Sequence, residues 1–393
     1  MTEGRSMASR RQRLAQRRKA LGFSQESFAD RLGVDRSTVV RWESGETEPL
    51  PWLRPKIARV LQTSVDQLDA LLAEAAAADS SDGRLTYALE HPTSVDLIAV
   101  AQLRQQVDDL DRRYDRAPSS SLLAEAGQCL GQVGLLRSHA PTSRVRRQLY
   151  EVETEAATLM GQLVWDASQR RDHTAARAYF DQAITAARQL HDPAAEGRAL
   201  LRKSFVALYG EKDPREGLNL ATQTAAATNG ASHVLTGLAV LHAAEAYAML
   251  GERQDCERAL GQAEAHFGRI TTVDAAIHLF SPTQHGRLAG SCYLFLQDAK
   301  RAEPILEAAA KTLKDRSKSQ AIVLGNLSLS YIRQGKVDEA AGMLHQAIDV
   351  IEQTWGGGGL NVIFGAAREL RPWRQVPAVQ DVYDRLLALM AAA

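Results

Sequence analysis

From Leu85 onward, alanine, leucine and tyrosine recur at spacings of three and four, and the recurrence itself repeats as helix, turn and return helix. The clearest copy is Ala321–Thr354. Leu324, Leu327 and Tyr331 share one helix face, Gln334-Gly335-Lys336 makes a turn, and Ala340, Leu344 and Ala347 share a face of the return helix. The same register fits Gly237–Ile270, through Val240, Ala243, Tyr247, Gly251, Cys256, Leu260 and Ala263. It fits again around Gly290, Tyr293, Ala302, Leu306 and Ala309. Weaker copies centre on Leu163, Ala176, Phe180 and Ala183, and on Leu201, Leu208, Gly217 and Ala221. Starts fall near 157, 198, 237, 283 and 321. One helix pair cannot bury its apolar face alone, so such units must stack, which creates a continuous core and a concave surface. The run Gly356–Gly359 is expected to end the last pair, because glycine sustains a helix poorly. The periodic tail Val379–Met390 is expected to cap the stack.

This register resembles tetratricopeptide repeats. The copies lie further apart than the roughly 34 residues of that family, which implies longer helices or loops.

The first 72 residues read differently. Ser9–Leu21 is a basic helical pattern ended by Gly22. Ser24 is placed to cap a second helix through Phe28, Ala29 and Leu32 to Gly33. Asp35 is expected to cap a third, Arg36–Glu43, which stops at Ser44-Gly45. Pro51-Trp52 opens a fourth, and Ser64 caps a fifth, Val65–Leu72. Ala73–Arg84 is Ala-rich, then Ser/Asp/Gly-rich, and reads as a linker. The expected organisation is therefore a five-helix head over 1–72, a linker over 73–84 and a helical body over 85–393. Charge divides along the same line. Residues 1–62 hold 13 Arg and Lys against 7 acids, while the whole chain is neutral. A basic head on an acidic body predicts that the head meets phosphate.

The stretch LGFSQESFADRLGVDRSTVVRWESGETEP resembles the lambda-repressor/Cro type of helix-turn-helix, also called the Xre family, over about 60 residues of the chain. The resemblance implies an all-α protein, a five-helix DNA-binding head followed by a right-handed α-solenoid of TPR-like pairs. It places Arg36, Ser37 and Arg41 at base edges in the major groove, with Thr38 against a phosphate or a thymine methyl. It makes Gln25 a phosphate contact at the start of the preceding helix. Arg18 and Glu43 match an ion pair joining the first and third helices, whereas Val39 and Trp42 fall on the core face. The arm Arg10-Arg11-Gln12-Arg13 either tracks phosphates or is merely solvated. Relatives often carry basic residues in the loop after the recognition helix, but here Glu46 and Glu48 stand there and would repel phosphate. Weak binding by one head is therefore expected, with a homodimer on a palindromic operator whose half-sites lie about 34 Å apart.

The combination of head and body resembles peptide-responsive regulators of Gram-positive bacteria and helix-turn-helix/repeat regulators of actinomycetes. It implies a body that dimerises and senses a signalling peptide, a small molecule or a protein partner. Polar residues on the first helix of each pair are the candidates for lining its concave face: Arg202, Glu245, Arg287 and Asn326. Each is more readily read as an ordinary solvated or inter-helix group. A scaffold or adaptor with a vestigial head is the alternative function.

Other classes find little support. No phosphate-binding loop, dinucleotide fingerprint, nucleophile elbow or H-E-x-x-H appears, so no enzyme, cofactor or metal is expected. His278 and His285 lack a third ligand partner. Cys129, Cys256 and Cys292 are widely spaced, and are read as small buried residues rather than a disulfide framework. The charged N-terminus and the absence of a run of roughly 20 apolar residues predict a cytoplasmic protein without a membrane span.

Overall fold

The structure, a computed structural model, describes residues 12–69, 71–72, 81–313 and 317–391. Arg10 and Arg11 of the basic arm and residues 73–80 of the expected linker lie outside them. The described residues contain helices and turns and no strand. The chain divides into two compact units: one runs through Leu103 and adds Ser138–Val145, and the other takes Arg104–Arg137 and everything from Arg146 on.

In the head, α1 (Gln12–Ala20), α2 (Gln25–Leu32), α3 (Arg36–Glu43) and α4 (Arg54–Val60) are followed by α5, helical over 65–69 and 71–72. The punctuation acts as read. Gly22 and Gly33 adopt left-handed φ of 79° and 75°, which glycine does without steric cost. Ser24 and Ser27 cap α2 reciprocally, each hydroxyl accepting from the other residue's N–H at 3.0 and 2.9 Å. Ser64 and Gln67 do the same for α5, both at 3.1 Å. Asp35 differs from expectation. It occupies the N-cap position of α3, but its exposed carboxylate makes no capping hydrogen bond. Leu14, Phe28, Leu32, Val39, Trp42, Ile57, Leu61 and Leu68 form one core, and Val39 and Trp42 lie in it as expected.

The next helices are α6 (Ser81–Glu90), α7 (Leu97–Tyr114), α8 (Ser119–Ser138) and α9 (Ser143–Ala167). The last four residues of the expected linker are therefore helical, and the first repeat begins before 157. Then come α10 (His173–Leu190), α11 (Pro193–Phe205), α12 (Pro214–Thr228), α13 (His233–Leu250), α14 (Arg253–Phe267), α15 (Gln284–Phe295), α16 (Ala299–Thr312), α17 (Lys318–Ile332), α18 (Val337–Thr354), α19 (Gly357–Glu369) and α20 (Pro377–Ala391). First helices pack against their return helices in the pairs α11 with α12, α13 with α14, α15 with α16 and α17 with α18, and the first helices stack in succession: α11 on α13, α13 on α15, α15 on α17, α17 on α19. Small residues permit this. A β-carbon on Gly290 would lie 2.5 Å from the Leu306 side chain, and one on Gly237 2.6 Å from Phe267. The long repeat spacing comes from a turn of π-helix, Val206–Glu211, after α11, and from an extended connection holding the 3-10 turn Ile277–Leu279 before α15. Helix α13 is apolar and long enough to cross a bilayer by length and composition, but it packs against α12, α14 and α15 and is mostly buried. All three cysteines are buried, and none forms a disulfide among the described residues.

The four glycines correct the sequence reading. Helix α18 does stop at Thr354, with Trp355 left-handed at φ 44°. Gly357, Gly358 and Gly359 then form the first turn of α19 instead of a terminating loop. Their packing explains it: the Gly357 N–H donates to Asp166 Oδ1 at 2.8 Å, and a β-carbon there would lie 2.9 Å from the Asp166 carbonyl oxygen. The Lys318 Nζ reaches the other Asp166 oxygen at 2.9 Å and donates to Ser119 Oγ at 2.7 Å, which itself donates to Asp166 at 2.8 Å. Asp166, Lys318 and Ser119 are buried, so the starts of α8, α17 and α19 meet the end of α9 through one dry polar network.

Removing one partner of a buried pair leaves the other charge uncompensated, at a cost of about 3–5 kcal/mol. Lys318→Ala is therefore expected to lower the body's denaturation midpoint sharply, and Asp166→Asn/Lys318→Met to lower it less. Chemical denaturation followed by circular dichroism measures both; equal losses would show that packing, not charge pairing, sets the effect.

Candidate nucleic-acid interface and inner polar face

Helices α2 and α3 are joined by Gly33-Val34-Asp35, and Gly33 closes α2 with N–H bonds to Ala29 and Asp30. Their relative placement is fixed from below by the predicted ion pair. Arg18 Nε meets Glu43 Oε1 at 2.6 Å and Arg18 Nη2 meets Oε2 at 3.3 Å, while Nη1 donates to the Phe23 carbonyl at 2.5 Å. Both side chains are buried, at 4% and 9% exposure. Gln25 joins this group, its Nε2 donating to Glu43 Oε2 at 2.8 Å. Gln25 is thereby tied to the scaffold, with one amide N–H not used in this bond.

On the opposite face of α3, Arg36, Ser37 and Arg41 are exposed and Thr38 is partly buried. Arg36 donates to no group of the described chain, and Arg41 leans back to the Ser37 carbonyl at 3.3 Å. Asp35 does not cap α3 through its side chain; in the first turn the Thr38 N–H donates to the Asp35 carbonyl at 2.9 Å, and the N–H groups of Arg36 and Ser37 have no partner among the described residues. These donors, one turn apart on a helix whose other face is core, form a surface of the kind that reads a major groove.

The acidic loop is less repulsive than its composition implies. Glu48 is held by Arg54 Nη2 at 2.9 Å, and the same guanidinium holds Asp69 at 2.9 Å and donates to the Pro49 carbonyl at 3.3 Å. Glu46 is exposed. Arg17 is occupied structurally, donating to the carbonyls of Leu61 and Gln62 at 3.0 and 2.8 Å.

In the body, three of the four candidate ligand residues come together. Arg202 on α11 acts electrostatically on Tyr114 and Asp115, and Arg287 on α15 acts on Asp115, Tyr209 and Glu245. Burial pushes both guanidinium pKa values down. Glu245 on α13 is spoken for: it accepts from the Tyr209 hydroxyl and from Ser291 Oγ at 2.7 Å, beside His242 at 3.3 Å. Burial first, then the adjacent Glu245, hold the Tyr209 phenol well above its ordinary range. Asn326 on α17 is partly buried, and no hydrogen bond links it to the others.

Sequence reading missed Tyr114, Asp115, Arg170, Tyr209 and Lys318. Tyr209 owes its position to the π-turn, a local irregularity often found at functional sites. Arg170 follows α9 in left-handed backbone at φ 62°, and its guanidinium lies 4.6 Å from the Trp165 ring centre. The Asp213-Pro214 punctuation just after Glu211 is the available sequence signal.

Comparison with known proteins agrees with both halves. Residues 14–68 match the helix-turn-helix family model, and residues 321–356 match a tetratricopeptide-repeat model. The chain thus carries a helix-turn-helix module of the Xre type at its head and a tetratricopeptide repeat in its body. A 58-residue stretch is 38% identical to the cryptic phage CTXphi transcriptional repressor RstR of Vibrio cholerae, covering 15% of this chain and 52% of that protein. The chain thus spans about half the length of this curated relative. Among solved structures, Bacillus thuringiensis PlcR, in complex with the peptide PapR7 and DNA, aligns over 83% of this chain and 98% of its own, at 13% identity and a TM-score of 0.37.

The buried ion pair makes a prediction separable from DNA contact. Arg18→Ala is expected to destabilise the head by about 3–5 kcal/mol, because Glu43 is left buried with a single neutral donor. Arg18→Ala/Glu43→Ala should recover part of that loss. Thermal melts of the two variants against wild type check it, and identical melting for single mutant and wild type would refute a structural role.

Proposed function

We propose that this protein is a sequence-specific DNA-binding transcriptional regulator. The observation that carries the reading is the face of α3: Arg36, Ser37 and Arg41 stand exposed on a helix whose Val39 and Trp42 are locked in the core. The match of 14–68 to the helix-turn-helix model and the likeness to a phage repressor support it. An arginine bidentate on guanine discriminates by about 1–3 kcal/mol, enough for two such contacts per head to select a half-site. The interface around α3 holds few phosphate-directed cations, since Arg17 and Arg54 are engaged elsewhere and Glu46 stands in the loop. Binding therefore relies on two heads of a homodimer on a palindromic operator. The body provides the second half of the mechanism, in which a ligand on the inner polar face biases the dimer between states of different operator affinity.

Selection of genomic fragments by the full-length protein tests this. Wild type is expected to enrich a palindrome that Arg36→Ala/Arg41→Ala loses; no enrichment by wild type, with and without cell extract, would favour an adaptor role. A second variant probes the loop. Glu46→Lys is expected to tighten operator binding severalfold and to steepen its salt dependence by about one ion per head. An unchanged salt slope would show that this loop lies away from phosphate.

A further inference from the structure

The inner face of the body carries more positive charge than its neighbours neutralise. Lys318 is paired with Asp166. Arg170, Arg202 and Arg287 form no ion pair and donate no side-chain hydrogen bond among the described residues. The Nε atoms of Arg170 and Arg287, and the indole N–H of Trp165, are inaccessible to solvent and without a partner. What these guanidiniums do touch is aromatic: Arg170 lies over Trp165 at 4.6 Å and Tyr209 at 6.0 Å, and Arg202 over Phe205 at 5.3 Å.

They belong to one cluster. Arg170 and Arg202 both act on Tyr114, Arg202 and Arg287 both act on Asp115, and Arg170 and Arg287 both act on Tyr209. The acids in reach are Asp111, Asp115, Asp166 and Glu245, and Arg198 joins the cations beside Arg202. Asp111 pairs with Arg198 at 4.0 Å, Asp115 is bonded to Ser317 and Ser319, Asp166 holds Lys318 and the Gly357 N–H, and Glu245 takes Tyr209 and Ser291. Among the described residues five cations thus face four engaged carboxylates. The amino end of α19 adds to the excess, since Gly358 sits so close to Arg170 that a β-carbon would lie 2.2 Å from Nη2; a helix N-terminus carries partial positive charge. Partly buried guanidiniums that make no direct ion pair are costly to hold together, and a fold can retain them where an anion is to be received.

We propose that Arg170, Arg202 and Arg287 together form an oxyanion site, taking the carboxylate or phosphate group of a ligand whose flat or apolar remainder lies on Trp165, Phe205 and Tyr209. This rests on the reading of the body as a sensor and supplies the chemistry of what it senses. An anion there bridges α11, α15 and the end of α9.

The test is calorimetric titration of the full-length protein at fixed ionic strength in chloride, with tricarballylate in one arm and pyrophosphate in the other. Saturable uptake of either anion with Kd below about 1 mM is expected, and whichever arm saturates identifies the carboxylate or phosphate source. Arg202→Met and Arg287→Met are each expected to weaken uptake about tenfold or more, with unchanged circular dichroism; Arg36→Ala/Arg41→Ala should not weaken it. If a methionine variant fails to fold, Arg202→Gln and Arg170→Gln replace it. No saturable uptake by wild type up to about 10 mM, or equal uptake by wild type and folded variants, overturns the proposal. Fragment retention is measured on the same sample: DNA binding without anion uptake removes the ligand class and leaves the regulator, whereas anion uptake without DNA binding does the reverse.

Discussion

Asp166 accepts from a lysine, a serine and a backbone amide that lie 152, 47 and 191 positions away in the chain. A buried carboxylate so satisfied stabilises only the arrangement that brings all three donors to it, because each missing donor leaves a desolvated lone pair. Helix stacking alone tolerates small changes of superhelical curvature. This network does not, since a shift of one ångström at α9 would break bonds to both α17 and α19. It converts an extendable array into a body with a defined interior, and the inner polar face exists because that interior is defined.

The head follows a parallel logic on a smaller scale. Arg18 and Glu43 are the buried polar link between α1 and α3, and Gln25 brings α2 to the same carboxylate. The orientation of the exposed face of α3 is thereby set by three helices and not by its own contacts. This is a scaffold for recognition, in which the contacting side chains are free and the supporting ones are immobile.

Local chemistry made much of this legible. Caps at Ser24 and Ser64, left-handed glycines at Gly22 and Gly33, and the core positions Val39 and Trp42 all follow from residue type and spacing. So did the helix pairs, because Leu324, Ala340 and Leu344 recur at helical period and are buried. What stayed hidden depends on partners distant in sequence. The glycine run reads as a helix breaker until Asp166, nearly two hundred residues earlier, is known to approach it. Arg202 and Arg287 read as separate polar positions of the concave face until their shared neighbour Asp115, far away in the chain, is known. Asp35 has a capping residue's identity without its hydrogen bond, a rotamer choice that spacing does not encode. The π-turn displaced the register of the second copy, which is why the alignment through Leu201, Leu208 and Gly217 looked weak.

The first turn of α19 also carries an implication for how the gene can vary. At Gly357, Gly358 and Gly359 a single methyl would collide, respectively, with the backbone at the end of α9, with Arg170, and with Ala321 and Ile351. Substitution is thus resisted at Gly357 by backbone and at Gly359 by two packed side chains, whereas at Gly358 the end of the Arg170 side chain would have to move. A natural variant with alanine at one of them would have to carry a compensating change at the specific neighbour named, so sequence drift at this run and at its distant contacts should be coupled rather than independent.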